Sequence, residues 1–424
     1  MDEEYQIYIG IDWGTEAYQV CTLDGARRVC AERVVEHSGT AIAQFVESLL
    51  PLCGGDPARA AVAIEMPRGT MVETLVERGF AVYALNPKQL DRFRDRHTVA
   101  GAKDDRRDAF VLADSLRTDR PCFRRVQLDD PLIIQLRELS RIEDDLREEF
   151  NRLTNRLREQ LHRFFPQPLR LVPATDEPWL WALLELVPTP AAARTVRPRR
   201  LEKLLAAHRI RRVHAPEVLA ILQAPALHVA PGVVEAAAAH VALLLPRLQL
   251  VHAQRAACAG TIEQLLTQLS APAADPADQG REPRDVEILR SLPGVGRVVA
   301  ATVLAEAAGP LAARDYHALR AHAGVAPVTR QSGKKRVVVM RQGCSGRLRY
   351  ACYHWGRVAA QVDPPSRQYY AALRGRGKTH GHAVRMVTDR LLRVLTAMLK
   401  TRTLYTLRTA DPVPPGPLTE AIAS

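Results

Sequence analysis

The stretch YQIYIGID, residues 5–12, decides how the first part of the chain folds. A tyrosine and three isoleucines alternate with other residues, and this period of two predicts a strand. Residues 18–23 and 27–35 are also predicted as strands, joined by a turn at Asp24-Gly25. We therefore predict a three-stranded antiparallel meander.

Helices and strands alternate after the meander. Helices are predicted over residues 39–52 and 70–79, and strands over residues 60–65 and 80–86. A further helix begins near Asp105. The order β-β-β-α-β-α-β-α is that of a ribonuclease-H-like sheet, so we predict an α/β fold for residues 1–124.

Acidic residues end two of the predicted strands and begin the last helix. Asp12 ends the first strand and Glu65 the fourth, and neighbouring parallel strands bring their carboxyl ends to one edge of a sheet. Asp105 and Asp108 lie three residues apart on one helix face, whereas Asp104 points elsewhere and is assigned as the N-cap. We therefore expect Asp12, Glu65, Asp105 and Asp108 to lie close together.

Four carboxylates at one edge repel one another unless cations neutralise them. Two Mg²⁺ ions, with Mn²⁺ as a substitute, remove that repulsion because hard cations prefer oxygen ligands. A pair of metal ions about 4 Å apart suits in-line displacement at phosphorus, since it stabilises the attacking and the leaving oxygen. The alternative is that Asp104 or Asp105 is a helix N-cap and that Asp108 is a solvated acid on the helix.

A long helical region follows, over residues 125–284. Within residues 132–164, apolar positions recur every three or four residues, which predicts an amphipathic helix suited to a coiled-coil stalk. A second long helix at about residues 233–270 is expected to return antiparallel to the first. Residues 166–232 are predicted to form short helices and loops, and residues 270–283 a linker.

Positive charge is concentrated near the C-terminal end. The chain of 424 residues has a net charge of +12, and residues 321–400 carry 16 Lys or Arg but only two acids. A polyanion such as nucleic acid is the natural partner for this block, and a solvated basic face is the alternative. The seven cysteines form no metal-binding pattern, and charged residues interrupt the apolar run at residues 233–251. We therefore expect a cytoplasmic protein without a membrane span.

The last part of the chain, residues 285–400, is predicted to be mainly helical and to precede a disordered tail at residues 401–424. The turn Pro-Gly-Val-Gly at residues 293–296 opens a helix of small residues, as in helix-hairpin-helix elements. Gly294 and Gly296 would let backbone N–H groups approach a phosphate. An ordinary tight turn is the alternative.

A basic stretch surrounds Ser332 in the same region. A serine hydroxyl becomes a nucleophile when its proton is removed and when nearby cations neutralise the phosphate that it attacks. By composition, Ser345 is an equal rival. The candidate nucleic-acid contacts are Arg330, Lys334, Lys335, Arg336, Arg341, Arg347 and Arg349.

Several motifs resemble those of the IS110/IS1111 family of insertion-sequence transposases. They are YIGIDWG, AIEMP, LNPKQLDRFR and KDDRRDAFVLAD in the first part, and SLPGVGRVVAATVLAE, HAGVAPVTRQSGKK and RQGCSGRLRYACYHWG in the last. The resemblance covers about residues 1–125 and 285–400. The chain departs from the family at Trp13, in the EMPRGT that begins at Glu65, and in the length of segment 166–284.

The resemblance implies a RuvC-like first domain, a coiled coil and a transposase domain. The D-E-D-D metal ligands of the family fall on Asp12, Glu65, Asp105 and Asp108, and its nucleophile, which forms a covalent phosphoserine with DNA, falls on Ser332. Related recombinases pair donor and target double-stranded DNA through a structured bridge RNA and act as multimers. We therefore expect DNA, a guide RNA and a homodimer or homotetramer.

Two other functions fit the same residues. A metal-dependent, structure-selective endonuclease of the Holliday-junction-resolvase type would use the acids and water without a serine. A nucleic-acid-binding scaffold with an inactive site would need neither the acids nor the serine.

Overall fold

The structure is a computed structural model that describes residues 5–85, 87–96, 104–126, 130–271, 283–333 and 335–406. The chain forms two compact units, residues 1–129 and 130–424. Most of the predicted linker lies outside the described residues, as does the predicted tail beyond residue 406. The predicted division of the second unit at residues 284 and 285 stays a prediction.

The first unit is a mixed sheet with helices on both faces. Its strands are β1 (Ile7–Trp13), β2 (Ala17–Asp24), β3 (Val29–Glu36), β4 (Ala60–Ile64), β5 (Ala81–Ala84) and β6 (Arg124–Arg125). Its helices are α1 (Gly39–Leu49), α2 (Thr70–Glu77), α3 (Pro87–Asp95) and α4 (Asp105–Asp119). The sheet order is β3-β2-β1-β4-β5-β6, with β1 antiparallel to β2 and parallel to β4. The predicted meander and the parallel strands after it are confirmed.

Two elements of this unit, α3 and β6, are not predicted by hydrophobic periodicity. Helix α3 has Leu90 and Phe93 as its large apolar residues, which are too few to define a helical period. Strand β6 consists of two arginines that pair with Tyr83 and Ala84 at the edge of the sheet. Both elements are fixed by tertiary contacts and not by local hydrophobic patterning.

The two faces of the sheet pack against different helices. Ile9 and Ile11 of β1 lie in the core formed with α1 and α2. Ala63 of β4 lies in the core formed with α4. Because side chains alternate along a strand, Gly10 and Asp12 lie on the face that α4 covers.

Among the described residues, the second unit is helical apart from a two-stranded hairpin. Its helices are α5 (Pro131–Phe164), α6 (Pro178–Leu186), α7 (Pro190–Thr195), α8 (Pro198–Ala207), α9 (Ala215–Leu222), α10 (Val233–Ser270), α11 (Asp285–Ser291), α12 (Arg297–Glu306), α13 (Ala308–Ala312), α14 (Tyr316–His322), α15 (Gly346–Val362), α16 (Pro364–Gly375) and α17 (His380–Thr401). The hairpin consists of β7 (Val328–Ser332) and β8 (Lys335–Val339). The hairpin residues are largely exposed and many are basic. Its strands therefore lack the alternation of apolar and polar residues that predicts a strand.

Helices α5 and α10 form a long antiparallel pair. The Sγ of Cys258 lies 3.4 Å from the carbonyl oxygen of Leu139. Four residues further along α5, Glu143 forms an ion pair of 2.8 Å with Arg255. Residue numbers therefore rise along one helix as they fall along the other, and the predicted antiparallel return is confirmed.

The helix pair is shared between two hydrophobic cores. The second half of α5 and the first half of α10 pack with α6, α8 and α9. The other halves pack with α11, α12, α15 and α17. The pair is therefore not a free stalk, and its coiled-coil geometry stays a prediction.

Helix α10 is long and apolar enough to cross a membrane by length and composition. Its Leu244, Leu245 and Leu248 are buried in a core that it shares with α5 and the short helices. Of the most apolar stretch of α10, however, only 28% is buried, so the expected absence of a membrane span stays a prediction.

Candidate active site

Asp12 and Glu65 stand at the ends of neighbouring parallel strands. Ile11 of β1 pairs with Ile64 of β4, so the acids that follow them come at the same level of the sheet. Adjacent strands lie about 4.8 Å apart. Asp12 is 9% exposed, and Glu65 is partly buried. Both acids therefore approach the same edge of the sheet.

Helix α4 is packed tightly against β1 at Gly10. A Cβ atom there would lie 1.9 Å from the carbonyl oxygen of Ala109, so a larger residue does not fit. Near the other end of α4, the Nη1 of Arg117 donates to the carbonyl oxygen of Gly25 at 3.4 Å. Gly25 lies in the turn that follows β2, beside the start of β1. Helix α4 therefore runs antiparallel to β1, and its first turn lies at the edge where β1 ends.

The first turn of α4 carries the remaining predicted acids. The carboxylate of Asp104 accepts a hydrogen bond of 3.3 Å from the backbone N–H of Arg106, so Asp104 is the N-cap, as predicted. Asp105 follows it and is exposed. Asp108, one turn further, is 1% exposed. These positions place one accessible and one buried carboxylate in the same turn.

Arg94 of α3 neutralises the buried Asp108. The Nε and Nη2 atoms of Arg94 donate to the two carboxylate oxygens of Asp108 at 2.7 and 2.9 Å. A guanidinium that meets a carboxylate with two parallel hydrogen bonds makes one of the strongest polar contacts in proteins. Arg94 therefore compensates the cost of burying this charge.

The carboxylates at this edge are the ligand type that a hard divalent cation prefers. Among the described residues, however, no three His, Cys, Asp or Glu side chains are arranged to hold a metal ion. Arg94 donates one hydrogen bond to each oxygen of Asp108, and a carboxylate oxygen that accepts one such bond keeps a second lone pair for a cation. Burial raises the pKa of the Cys21 thiol, which packs under α4, to about 12.

Ser332 is the last residue of β7 and is exposed. It pairs with Lys335 across the hairpin. Gly333 follows it with a φ of 54°, a left-handed conformation that glycine adopts without strain. Lys334 and the side chain of Lys335 lie outside the described residues. The predicted nucleophile thus stands at the accessible tip of a tight turn.

The predicted arginine contacts to nucleic acid fall into two groups. Arg330 and Arg336 are exposed on the hairpin, and Arg341, Arg347 and Arg349 make contacts within the unit. Arg347 forms an ion pair of 3.1 Å with Asp144 of α5. Arg349 donates to the carbonyl oxygen of Arg341 at 2.7 Å. Arg330 and Arg336 are therefore better placed to contact a phosphate backbone than the three arginines with internal contacts.

Ser345 has a structural role. Its hydroxyl oxygen accepts a hydrogen bond of 3.3 Å from the backbone N–H of Leu348, so it is the N-cap of α15. The hydroxyl also lies 3.4 Å from a carboxylate oxygen of Glu306. These contacts explain a serine at this position without catalysis.

The Pro-Gly-Val-Gly turn packs against α15. A Cβ atom at Gly294 would lie 2.7 Å from the backbone nitrogen of Ala359. The indole N–H of Trp355 donates to the carbonyl oxygen of Pro293 at 3.0 Å. Gly296 has open space around it and precedes α12. Gly294 is thus required for packing, and phosphate contact by either glycine stays a prediction.

An acidic sheet edge in one unit and an exposed basic hairpin in the other are typical of enzymes that act on nucleic acids. Residues 9–166 match the family profile of DEDD transposases of IS110, and residues 286–371 match that of the transposase IS116/IS110/IS902 family. The chain belongs to the IS110 family of insertion-sequence transposases. Membership implies a DNA-cleaving enzyme, and the DEDD domain implies use of a divalent metal ion.

Individual relatives agree with this assignment. The y4uE protein of Sinorhizobium fredii is 51% identical over 219 residues, which are 51% of this chain and 60% of that relative. The IS117 mini-circle protein of Streptomyces coelicolor is 29% identical over 409 residues, or 95% of each chain. The 43.6 kDa protein of IS110 from the same organism is 29% identical over 413 residues, or 96% of this chain and 97% of that one. The match to y4uE thus spans less than two thirds of that protein, and the other two run nearly end to end.

Arg94 is the residue of this site that sequence reasoning misses. It lies in the motif LDRFR, whose one acid, Asp91, is not among the predicted metal ligands. The available signal is indirect: a carboxylate that folding buries, as it buries Asp108, requires a cationic partner.

Proposed function

We propose that the chain is a DNA recombinase that excises and integrates an insertion sequence. The observation that carries this proposal is the packing of Gly10 against Ala109. That contact directs the first turn of α4 to the sheet edge where Asp12 and Glu65 stand. A catalytic role for this edge agrees with membership of a DEDD transposase family, whose substrate is DNA.

The proposed ligands of two Mg²⁺ or Mn²⁺ ions are Asp12, Glu65, Asp105 and Asp108. The strand order β3-β2-β1-β4-β5 supports a RuvC-like, ribonuclease-H-like assignment, because a meander followed by parallel crossovers is the connectivity of such sheets. Bound metal ions would stabilise negative charge on the reacting phosphate. Asp108 would bind as a carboxylate that Arg94 also orients through two hydrogen bonds.

In the proposed reaction, the hydroxyl of Ser332 attacks a phosphodiester of one DNA strand. The bond from Oγ to phosphorus forms, and the bond from phosphorus to a sugar oxygen breaks. The serine loses a proton and the departing sugar oxygen gains one. Attack by the sugar hydroxyl of another strand reverses these changes and frees the serine. The exposed Arg330 and Arg336 supply positive charge for the strand.

A bridge RNA and a homodimer or homotetramer are proposed from the resemblance to the family alone. A structured RNA that pairs with donor and target DNA would take over sequence selection from the protein. Sequencing the nucleic acid that copurifies with the full chain tests this part. One discrete structured RNA supports it, and random fragments contradict it.

Covalent trapping tests the proposed chemistry. The full chain is incubated in Mg²⁺ with DNA that carries the ends of its element, denatured, and examined for protein–DNA adducts by mass spectrometry. We expect an adduct on Ser332 that is absent in Ser332→Ala and present in Ser345→Ala, because Ser345 caps a helix.

Other outcomes of this experiment favour the alternative functions. Cleavage that persists in Ser332→Ala without any adduct indicates attack by water, as in a resolvase-like endonuclease. Activity that is the same in Asp12→Ala, Glu65→Ala and the unsubstituted chain indicates a scaffold whose acidic edge is inactive.

A further inference from the structure

A cavity of about 390 Å³ lies at the base of the hairpin that carries Ser332. Its lining includes Val325, three residues before β7 begins, and Met340, directly after β8 ends. The remaining wall comes largely from α15 and from the first turns of α17. Five residues of strand span about 16 Å. The cavity therefore lies roughly one strand length from the proposed nucleophile.

Two tyrosines give the cavity flat apolar walls. Tyr350 and Tyr353 lie three residues apart on α15 and therefore share a face of the helix. The hydroxyl of Tyr353 lies 3.2 Å from the Nε2 of His380. The guanidinium of Arg147 stands 4.6 Å from the centre of the Tyr350 ring and donates to its hydroxyl at 2.7 Å. These contacts hold both rings in place.

Glycines keep the cavity open. Gly346 begins α15 and Gly381 lies in the first turn of α17, and both line the cavity. A Cβ atom at either position would meet no other atom within 4 Å. Side chains at these helical positions would be compatible with the backbone, so the glycines leave space that packing alone does not require.

The cavity is positively charged. Arg349 and Arg385 line it, and none of the described lining residues is acidic. Among the described residues, the Nε of Arg349 is buried and has no hydrogen-bond partner. A buried donor without a partner costs stability, so such a donor often has a functional role, such as binding a ligand.

This combination of features favours one class of ligand. The volume lies within the range of small-molecule sites. Aromatic walls and the thioether of Met340 suit a flat ring, and the two guanidiniums suit a phosphate beside it. A purely apolar ligand would leave the buried Nε of Arg349 without a hydrogen-bond partner.

We propose that the cavity binds an unstacked base of the nucleic-acid strand engaged by the hairpin, with Arg385 placed for an adjacent phosphate. This inference rests on the proposed function only in taking nucleic acid as the substrate. Stacking against a tyrosine does not distinguish DNA from RNA, so the base belongs to either a DNA strand or a guide RNA.

Photocrosslinking locates the base directly. Single-stranded DNA and single-stranded RNA that carry 5-iodouracil are irradiated with the full chain, and the modified peptides are sequenced. We expect crosslinks to Tyr350 or Tyr353, and the probe that gives them identifies the source of the base. Crosslinks found only outside the cavity, or none with either probe, overturn the proposal.

A variant that fills the cavity gives a second, independent test. Gly381→Leu is expected to weaken binding of the single-stranded probe that crosslinks about fivefold or more, the loss of one stacked base. The dependence of affinity on salt should not change, because no phosphate contact is removed. Gly260→Leu in α10 is the matched control, since its Cβ also meets open space but lies outside the cavity.

Substitution of a tyrosine in the cavity wall tests the proposal even if Gly381→Leu fails to fold. Tyr353→Leu should weaken binding as Gly381→Leu does, and Tyr353→Phe should retain it because the ring remains. Normal binding by Gly381→Leu and Tyr353→Leu, both with unchanged thermal melting, overturns the proposal. Adduct formation on Ser332 is measured in the same samples, so failure of the cavity proposal is separable from failure of the proposed chemistry.

Discussion

At the acidic edge of the first unit, Asp12 and Asp108 are buried side chains on elements that pack at backbone contact. In the second unit, Ser332 is exposed at the end of a two-stranded hairpin. Packing holds these two acids in place before any ligand binds, whereas the serine has only its turn for support. The comparison indicates that the two parts of the proposed chemistry need different degrees of rigidity.

The difference follows from charge. Carboxylates at one edge repel one another, so their positions must be enforced by close packing and by a counterion such as Arg94. A neutral hydroxyl at the surface costs nothing to hold there. It becomes reactive when a phosphate and a proton acceptor reach it, and the accessible hairpin permits that approach.

Among the variants that test this comparison, Gly10→Val is expected to have the largest effect on stability. The new side chain would overlap the backbone of α4, so we expect the first unit to lose about 4 kcal/mol or more of stability. Hydrogen exchange of the full chain should report lost protection in β1 and α4. Gly25→Ala, whose Cβ meets open space, is the control and should exchange like the unsubstituted chain. Normal protection in Gly10→Val would contradict the tight contact.

Arg94→Ala tests the counterion at the acidic edge. It leaves the carboxylate of Asp108 buried without its two hydrogen bonds, which we expect to cost about 3 kcal/mol. Urea denaturation of the full chain, followed by peptide-level exchange in the first unit, measures this loss. Arg92→Ala removes an exposed arginine of the same helix and should change stability little. Equal losses in the two variants would show that Arg94 does not support Asp108.

Substitutions of the two serines are expected to have the smallest effects on stability, and Ser345→Ala should be the more destabilising of the two. Loss of the helix cap of α15 should cost about 1 kcal/mol. Ser332→Ala should leave stability unchanged, because the side chain is exposed in a strand end. Thermal melting of both variants checks this. The opposite order of the two losses would contradict the assigned roles.

The sequence predicts the first unit well because its strands have strong local signals. Isoleucines alternate in β1, and acids follow the buried segments of β1 and β4. The same alternation places Asp12 on the face that α4 covers. What the pattern does not contain is the partner of a buried charge, so Arg94 and the helix around it are found only in the structure.

The second unit is predicted less completely. The long helices α5 and α10 follow from their periodicity, and the ion pair between Glu143 and Arg255 fixes their direction. The hairpin and the cavity depend on contacts between segments distant in sequence. The basic composition predicts a polyanion-binding region there, yet it does not distinguish the exposed Arg336 from Arg347, which pairs with Asp144.

Binding of Mn²⁺ to the full chain, measured from the electron paramagnetic resonance of the free ion, tests the central claim that the acidic edge is a metal site. Saturable binding is expected for the unsubstituted chain and for Ser332→Ala, with loss of that binding in Asp12→Asn. Equal binding by Asp12→Asn and the unsubstituted chain would contradict the claim.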